Sequence, residues 1–415
     1  MKKRELVIVA LLIAFGFIYN AVERGKIRFA DDFSRYFDER RLGSEQFTEA
    51  VQQEKVFPAP QKITIDNPAG EIDIDRSLDG QVHLRSIFRI YHADPSEVER
   101  IGRNAFVRAD TLNNELKVSV NYPSAFPYRR LRIRFEMRIP EGVELAVSNS
   151  EGNISIRRSG KNILLRQEHG NVLVADIPSA VEVQIRGGNL DIRNIAGNVV
   201  IDARQGDIFL QNAIALHLKG RHGNYSLKEI KTSVFMEHAY GEATLDGAEQ
   251  AEISGRHSTL TVRNIKNGVR ISNAFRDVVL EHIDGDVHLS GRSSKMEIRH
   301  VRAKDMTVDN SFADIAITDC AGEGLNIILK NGNLTFTNNR FSERLNIESR
   351  QARLDLSLGE LSDPTVNIKT SHGRITNASS LDLEVFRERE ENFANRSGQK
   401  PEIIISNSYG DIHLK

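Results

Sequence analysis

The sequence predicts an all-β protein: a parallel β-solenoid (β-helix) of about 18 residues per rung, preceded by a β-rich N-terminal cap with one helix and by an N-terminal transmembrane helix. Three observations predict it. Apolar pairs separated by one residue recur about every 18 residues over most of the chain. Within each pair the alternation has period two, the mark of a strand with one buried face. A single long apolar run lies at the N-terminus, behind three basic residues.

That run comes first in order. Lys2, Lys3 and Arg4 precede Leu6 to Tyr19, and Glu23, Arg24 and Lys26 follow. The run is shorter than the roughly 20 residues of a usual span, and it also suits a signal-peptide core. No A-x-A-like cleavage site follows, Tyr19 standing two before Ala21, and there is no lipobox cysteine. Residues 1–23 are therefore read as an uncleaved signal anchor, its basic end cytoplasmic. The bulk of the chain is then extracytoplasmic, periplasmic or at the cell surface, with the membrane as one partner. Residues 24–56 are polar and charged and read as a juxtamembrane spacer.

Residues 57–144 lack the strict repeat and read as a capping module. Lys62–Ile65 and Glu71–Ile74 are strand candidates around Asn67-Pro68-Ala69-Gly70. Val82–Tyr91, Glu115–Val120 and Arg132–Ile139 are further strands. Asp94 and Pro95 have the chemistry of an N-cap and a first helical position, so a helix is expected there. Pro140-Glu141-Gly142 turns the chain into the array.

Residues 145–415 carry the repeat. Gly152-Asn153-Ile154-Ser155-Ile156 recurs from Gly170, Gly188, Gly206, Gly223 and Gly241, at spacings of 18, 18, 18, 17 and 18. Beyond Gly241 the glycine is replaced while the apolar pair persists, as in Leu260/Val262, Val278/Leu280 and Met296/Ile298. A second pair lies about nine residues after each first, as in Val181/Val183 and Val199/Ile201. A third apolar position marks a corner at Ile177, Ile195, Ile230, Ile265, Ile283 and Val301, and Cys320 falls in that column as a small buried hydrophobe. No rung can bury its own apolar face, but stacked rungs can. The glycines suit a sharp corner with positive φ. Asn153, Asn171, Asn189, Asp207 and Asn224 suit a ladder along the stack. The charged insertion near 378–401 is expected to cap the last rungs as a loop or short helix.

The lead-in strands, the turn Ile139-Pro140-Glu141-Gly142-Val143 and the glycine–Asn/Asp rungs resemble the bacterial putative-adhesin family, over roughly residues 57–415. The resemblance implies a cell-envelope protein with a β-helical head, often membrane-anchored. It brings no catalytic residue with it.

Composition narrows the function. Fifty-six Lys+Arg against 57 Asp+Glu leave a formal net charge of −1, which gives no general electrostatic reason to bind nucleic acid. One cysteine excludes a disulfide framework and a Cys-rich metal site. No cofactor is expected. A calcium β-roll needs two more glycines per nonapeptide and regular aspartates, which are missing. His169, His222, His257 and His372 sit just before the glycine column, but Gln205 and Tyr240 interrupt them, so they are read as exposed corner residues rather than metal ligands. Carboxylates at outward positions, such as Asp191, Glu182, Glu252, Glu297 and Asp355, are scattered, where a glycosidase needs a close pair.

Two candidate binding surfaces remain. Arg186, Arg204, Arg221, Arg256, Arg292, Lys330 and Arg350 stand two before the glycine column and make a basic stripe suited to an anionic polymer or lipid headgroups. Leu164, Leu173, Val200, Phe209 and Phe235 are expected to point outward, to be covered by the N-terminal module, an envelope protein or a second copy in a homo-oligomer. The reading is a non-catalytic, membrane-anchored envelope protein that presents a solenoid surface for binding or scaffolding. Its alternatives are a polysaccharide-modifying β-helix enzyme and an envelope-sensing accessory protein.

Overall fold

The computed structural model describes residues 47–91, 105–121, 131–359 and 363–415, with Asp94, Ser96, Val98, Arg100, Ile101 and Leu361 between them. The expected anchor, 1–23, lies outside these residues. Among the described residues no helix is long and apolar enough to cross a membrane. The helix expected after Asp94 also falls largely outside them, and every element with described bounds is a strand. Asp94 Oδ1 there accepts from both the N–H and the hydroxyl of Ser96, at 2.8 Å each.

One rung shows how the solenoid is built. Val181–Gly187 forms a strand on one face, Gly188 and Asn189 turn the chain, and Leu190–Ile195 returns on the other face. Ala196 to Asn198 then lead into Val199–Ala203 of the next rung. Neighbouring rungs pair in parallel and in register, Val181 with Val199 and Leu190 with Ile208. Val181, Val183, Ile185, Leu190, Ile192 and Ile195 all point inward and are buried. Full burial of each such side chain contributes about 1.5–3 kcal/mol. Stacking repeats the gain on every rung, which is why such short strands suffice. Cys320 lies in the inner corner column, buried, with its thiol 3.3 Å from the Thr318 carbonyl. Burial pushes that thiol up to about 11, so it is an inert core group.

The glycine column is fixed by close approach. A Cβ on Gly188 would stand 2.1 Å from the carbonyl oxygen of Gly170, and one on Gly206 would stand 1.9 Å from that of Gly188. Gly188 also has φ near +118°, where L side chains rarely go. The Asn/Asp ladder forms, but between side chain and backbone. Asn153 Oδ1 accepts from the N–H of Asn171 at 2.9 Å, Asn171 from Asn189 at 3.0 Å, Asn189 from Asp207 at 3.1 Å, and Asp207 from Asn224 at 2.8 Å.

Both ends depart from the sequence order of the rungs. Lys62–Ala69 lies between Glu115–Asn121 and Glu144–Glu151, parallel to each. Ile72–Arg76 likewise lies between Leu131–Ile139 and Ile154–Arg157. The solenoid therefore begins inside the stretch read as a separate cap. The edge is covered by antiparallel strands instead: Phe106–Leu112 on Glu115–Asn121, and Gln81–Tyr91 on Leu131–Ile139. Phe47–Pro58 pairs outside Gln81–Tyr91, so the stretch read as spacer ends in a strand.

The far end mirrors this. Gln399–Ser408 runs between Arg340–Leu356 and Pro364–Ser371, parallel to both. Ile412–Leu414 inserts likewise between Arg340–Leu356 and Ile375–Asn377. The charged insertion is not a loop or helix. Glu384–Glu388 and Glu391–Arg396 form an antiparallel hairpin that docks on Pro364–Ser371. Its signal is short: Phe386 stacks on Phe393 at 5.2 Å and Ala394 is fully buried, while the charged residues occupy its turn and open face.

Candidate functional site

The basic stripe exists as a straight column. Register places Arg221, Ala239, Arg256, Ala274, Arg292, Ser311, Lys330, Arg350 and Ser408 on successive rungs. Arg186 and Arg204 precede them at the same point of their rungs. All the basic members are exposed. Arg186 is held by Glu168 at 3.1 Å. Among the described residues, Arg204, Arg221, Arg256, Arg292, Lys330 and Arg350 form no ion pair. Adjacent rungs lie about 4.8 Å apart, where two like charges in water repel by about 1 kcal/mol. Beyond Arg221 a small residue separates the charges up to Lys330. That doubles the spacing to about 10 Å, past the Debye length at physiological salt. From Arg221 to Lys330 the column is thus a row of spaced cations with no ion pair among the described residues.

Beside it runs an aromatic column that the sequence reading broke at Tyr240. His222, Tyr240, His257 and Phe275 stack ring on ring, with centroids 4.9, 5.1 and 4.7 Å apart and planes within 10–13°. Tyr240 is a member of the stack rather than an interruption. His372 and Tyr409 form a second stack at 4.7 Å near the far end. Each of these residues has φ between +53° and +71°, which turns its side chain out from the corner. Tyr240, Phe275, Phe312 and Tyr409 are between 42% and 58% exposed. The signal was legible, since these residues directly follow the arginine column at rung spacing. Ser293 follows Phe275 in the column and carries no ring. Phe275 and Phe312 therefore flank a gap of two rung rises, about 10 Å.

Inside the same corner lies a cleft of about 820 Å³, lined by Arg204, Lys219, Arg221, His222, Glu237 and Arg256 among others. Lys219 is held by Glu237 at 3.3 Å, which leaves the three arginines as the free cations of the cleft. His238 closes its floor. It is buried, its ring lies 4.4 Å from that of Tyr225, and its Nε2 donates to the Gly223 carbonyl at 3.1 Å. Burial holds its pKa below the ordinary histidine value and so keeps it neutral.

The five apolar candidates do not form one surface. Leu164, Val200 and Phe235 lie on one face, on alternate rungs, with Glu182 and His217 between them. Leu173 and Phe209 lie on the other face, with Asp191 between them. Phe209 is covered by the Arg193 guanidinium at 5.1 Å, and Phe235 leans on His217 at 4.7 Å. The N-terminal strands extend the stack and do not fold back over either face. The error has a simple cause: nine residues along the chain is one face, not one rung.

A second cleft, of about 490 Å³, opens at the opposite corner and is lined by His282, Asp284, His300, Arg302, Asp319 and Arg340 among others. Neither His282 nor His300 was singled out in the sequence, although they stand one repeat apart.

Comparison with known proteins places this architecture. A Toastrack DUF4097 family model matches residues 216–415, just under half of the chain. The rungs before Leu216 pair in the same register as the Toastrack rungs after it. No curated protein matches the chain. Among solved structures it is similar to a putative cell adhesion protein from Clostridium sporogenes, at 10% identity and a TM-score of 0.20, over 88% of this chain and 99% of that one. It is similar to a putative adhesin from Parabacteroides distasonis, at 11% identity and a TM-score of 0.22, over 76% and 98%. A putative lipid binding protein from the same organism aligns at 11% identity and a TM-score of 0.19, over 88% and 96%. Likenesses this weak have no bearing on what the basic–aromatic corner binds.

Proposed function

We propose that this is a non-catalytic, membrane-anchored envelope protein whose solenoid holds an anionic polymer along its basic–aromatic corner. One observation carries the reading: a column of exposed cations of which, among the described residues, only Arg186 has an ion-pair partner, in rung register beside a stack of outward rings. A row of cations at fixed intervals suits a chain with charge at regular intervals, and suits a compact ligand poorly. Ring edges and the gap between Phe275 and Phe312 suit the apolar faces of sugar rings. The anchor is supported by the basic-then-apolar N-terminus alone.

The test is binding of the full chain, in detergent, to an acidic polysaccharide such as polygalacturonate, with neutral dextran as control. Binding to the acidic polymer alone is expected, weakening steeply with salt. The triple variant Arg204→Glu, Arg221→Glu, Arg256→Glu should lose it. Equal binding by the variant, or equal binding to dextran, overturns the reading.

A second reading, a polysaccharide-modifying enzyme, has one observation in its favour: the smaller cleft brings Asp284, Asp319, Arg302 and Arg340 together. It predicts release of reducing ends or unsaturated sugars from the bound polymer, lost in Asp319→Asn.

A further inference from the structure

The corner opposite the glycine ladder holds one left-handed residue per rung: Asp176, Asn194, Asn212, Glu229, then Asn264, His282, His300, Asp319 and Asn338. Their φ values, +52° to +61°, set the side chains side by side along the edge. At the ends of this column amides and carboxylates link up. Asn194 Nδ2 donates to Asp176 at 2.8 Å, Asn212 to Asn194 at 3.2 Å, and Asn338 to Asp319. In the middle the ladder changes chemistry. His282 and His300 stack with centroids 5.1 Å apart and planes 20° from parallel. Glu281 stands beside them, and the ligand atoms of Glu281, His282 and His300 all lie within 4.8 Å of one another. Among the described residues this is the group of three His, Cys, Asp or Glu side chains so placed.

We propose that Glu281, His282 and His300 bind a divalent transition-metal ion of the zinc class. Two imidazoles and a carboxylate are the donor set that such ions prefer over calcium or magnesium, which take oxygen. Ligand atoms about 2.1 Å from one ion can be at most about 4.2 Å apart. A nitrogen lone pair lies in its ring plane, so closing from 4.8 Å also means that at least one ring turns out of the stack; both histidines are exposed and have room to turn. The next rung supplies the outer shell. Asp319, held by Asn338, has its Oδ2 3.9 Å from His300 Nδ1; that is beyond hydrogen-bond distance, but a turn of the ring would bring it to the place where a carboxylate orients a metal-bound imidazole. Glu281 is engaged by Arg263 at 3.2 Å, so the ion competes with one exposed ion pair. Such pairs are worth less than about 1 kcal/mol. The cleft beside the cluster leaves the remaining coordination positions open, and Arg302 and Arg340 on its wall suit an anionic group there. Cys320 lines the same cleft but is not in the ligand group, its buried Sγ lying against the Thr318 and Ile298 carbonyls. The site uses none of the residues of the basic–aromatic corner and stands or falls apart from it.

The test is calorimetric titration of the full chain with zinc chloride, repeated with magnesium chloride. One equivalent of zinc is expected to bind and magnesium is not. His282→Ala and His300→Ala should each weaken that equivalent at least about tenfold. His257→Ala and His372→Ala, from the stacks at the other corner, should leave it unchanged. His282 and His300 are exposed, so circular dichroism of their variants should match the parent. Absence of zinc binding in the parent overturns the proposal, and so does an affinity that survives both substitutions. If the two stacks alone account for the zinc, His257→Ala will remove it and the proposal fails.

Discussion

The rungs from Gly152 to Gly241 and those from Ser258 to Ala313 turn the same corner by different means. In the first set the backbone of one rung rests directly on the next, and glycine is required because the neighbouring carbonyl occupies the place of a Cβ. In the second set side chains do the joining. Ser258 Oγ donates to the carbonyls of His238 and Arg256 at 3.1 and 3.2 Å. Asn273 Nδ2 donates to Ser258 and Arg276, both at 2.9 Å, and Asn310 Nδ2 to Ser294 and Ala313 at 2.8 and 3.0 Å. At the corner position itself the first set has no room for a Cβ, although Gln167 and His238 donate to glycine carbonyls there, whereas the second set accepts side chains and is joined through them. A repeat can therefore fade from the sequence while the rung it encodes persists.

The inner columns are common to both sets, and there the largest effects should be equal. Ile192→Asp and Ile298→Asp each bury a charge at a site with no exposure. Each should abolish cooperative thermal unfolding of its region, because an unpaired buried charge costs several kcal/mol. Loss in one set only would show that the two are separate folding units. Gly188→Ala comes next. Its Cβ would meet the Gly170 carbonyl and its φ is unsuited to alanine. A loss of about 3 kcal/mol is expected in denaturant unfolding. Asn310→Ala removes the amide donor from one buried and one half-buried carbonyl and should cost about 1–3 kcal/mol by the same measurement. If it costs more than Gly188→Ala, the side-chain corner is the more rigid of the two.

His238 sits where one corner gives way to the other. Its folded pKa is lowered by burial, so below pH about 6.5 the unfolded chain takes up a proton that the folded one refuses. Stability should fall as pH drops from 7 toward 5, and His238→Phe should flatten that fall. The lowered carboxylates, such as Glu297 beside Lys295 and Glu391 beside Lys369, lose their contribution only in more acid solution. The smallest effect belongs to Asp191→Ser. Asp191 is outward and paired with Arg193 at 2.7 Å, so its loss should cost less than about 1 kcal/mol.

The inner columns were legible because a period of two within strands and 18 between rungs is dictated by burial. Ile163/Leu165, Val181/Val183 and Cys320 stand where that pattern puts them. The basic stripe was legible for the same reason. Neighbourhood across rungs was not, wherever spatial order leaves sequence order. Nothing local in Glu115–Asn121 says that it stacks outside Lys62–Ala69. The hairpin at Glu384–Arg396 was hidden by its charged turn, and Leu164 and Leu173 look adjacent only until the faces are told apart. His282 and His300 could have been found from their spacing of one repeat. They lie in the column of Asn194 and Asn212, away from the glycine corner that gives the repeat its signature.

The interleaved far end also sets an order in time. A chain emerging N-terminus first offers Pro364–Ser371 before Gln399–Ser408, yet Gln399–Ser408 is the strand that belongs against Arg340–Leu356. The earlier strand must wait, or dock and then withdraw. Until the later one arrives, the edge of Arg340–Leu356 stays open as a row of unanswered backbone groups. The rod is thus closed by a latch that cannot engage until everything up to Leu414 is free to fold.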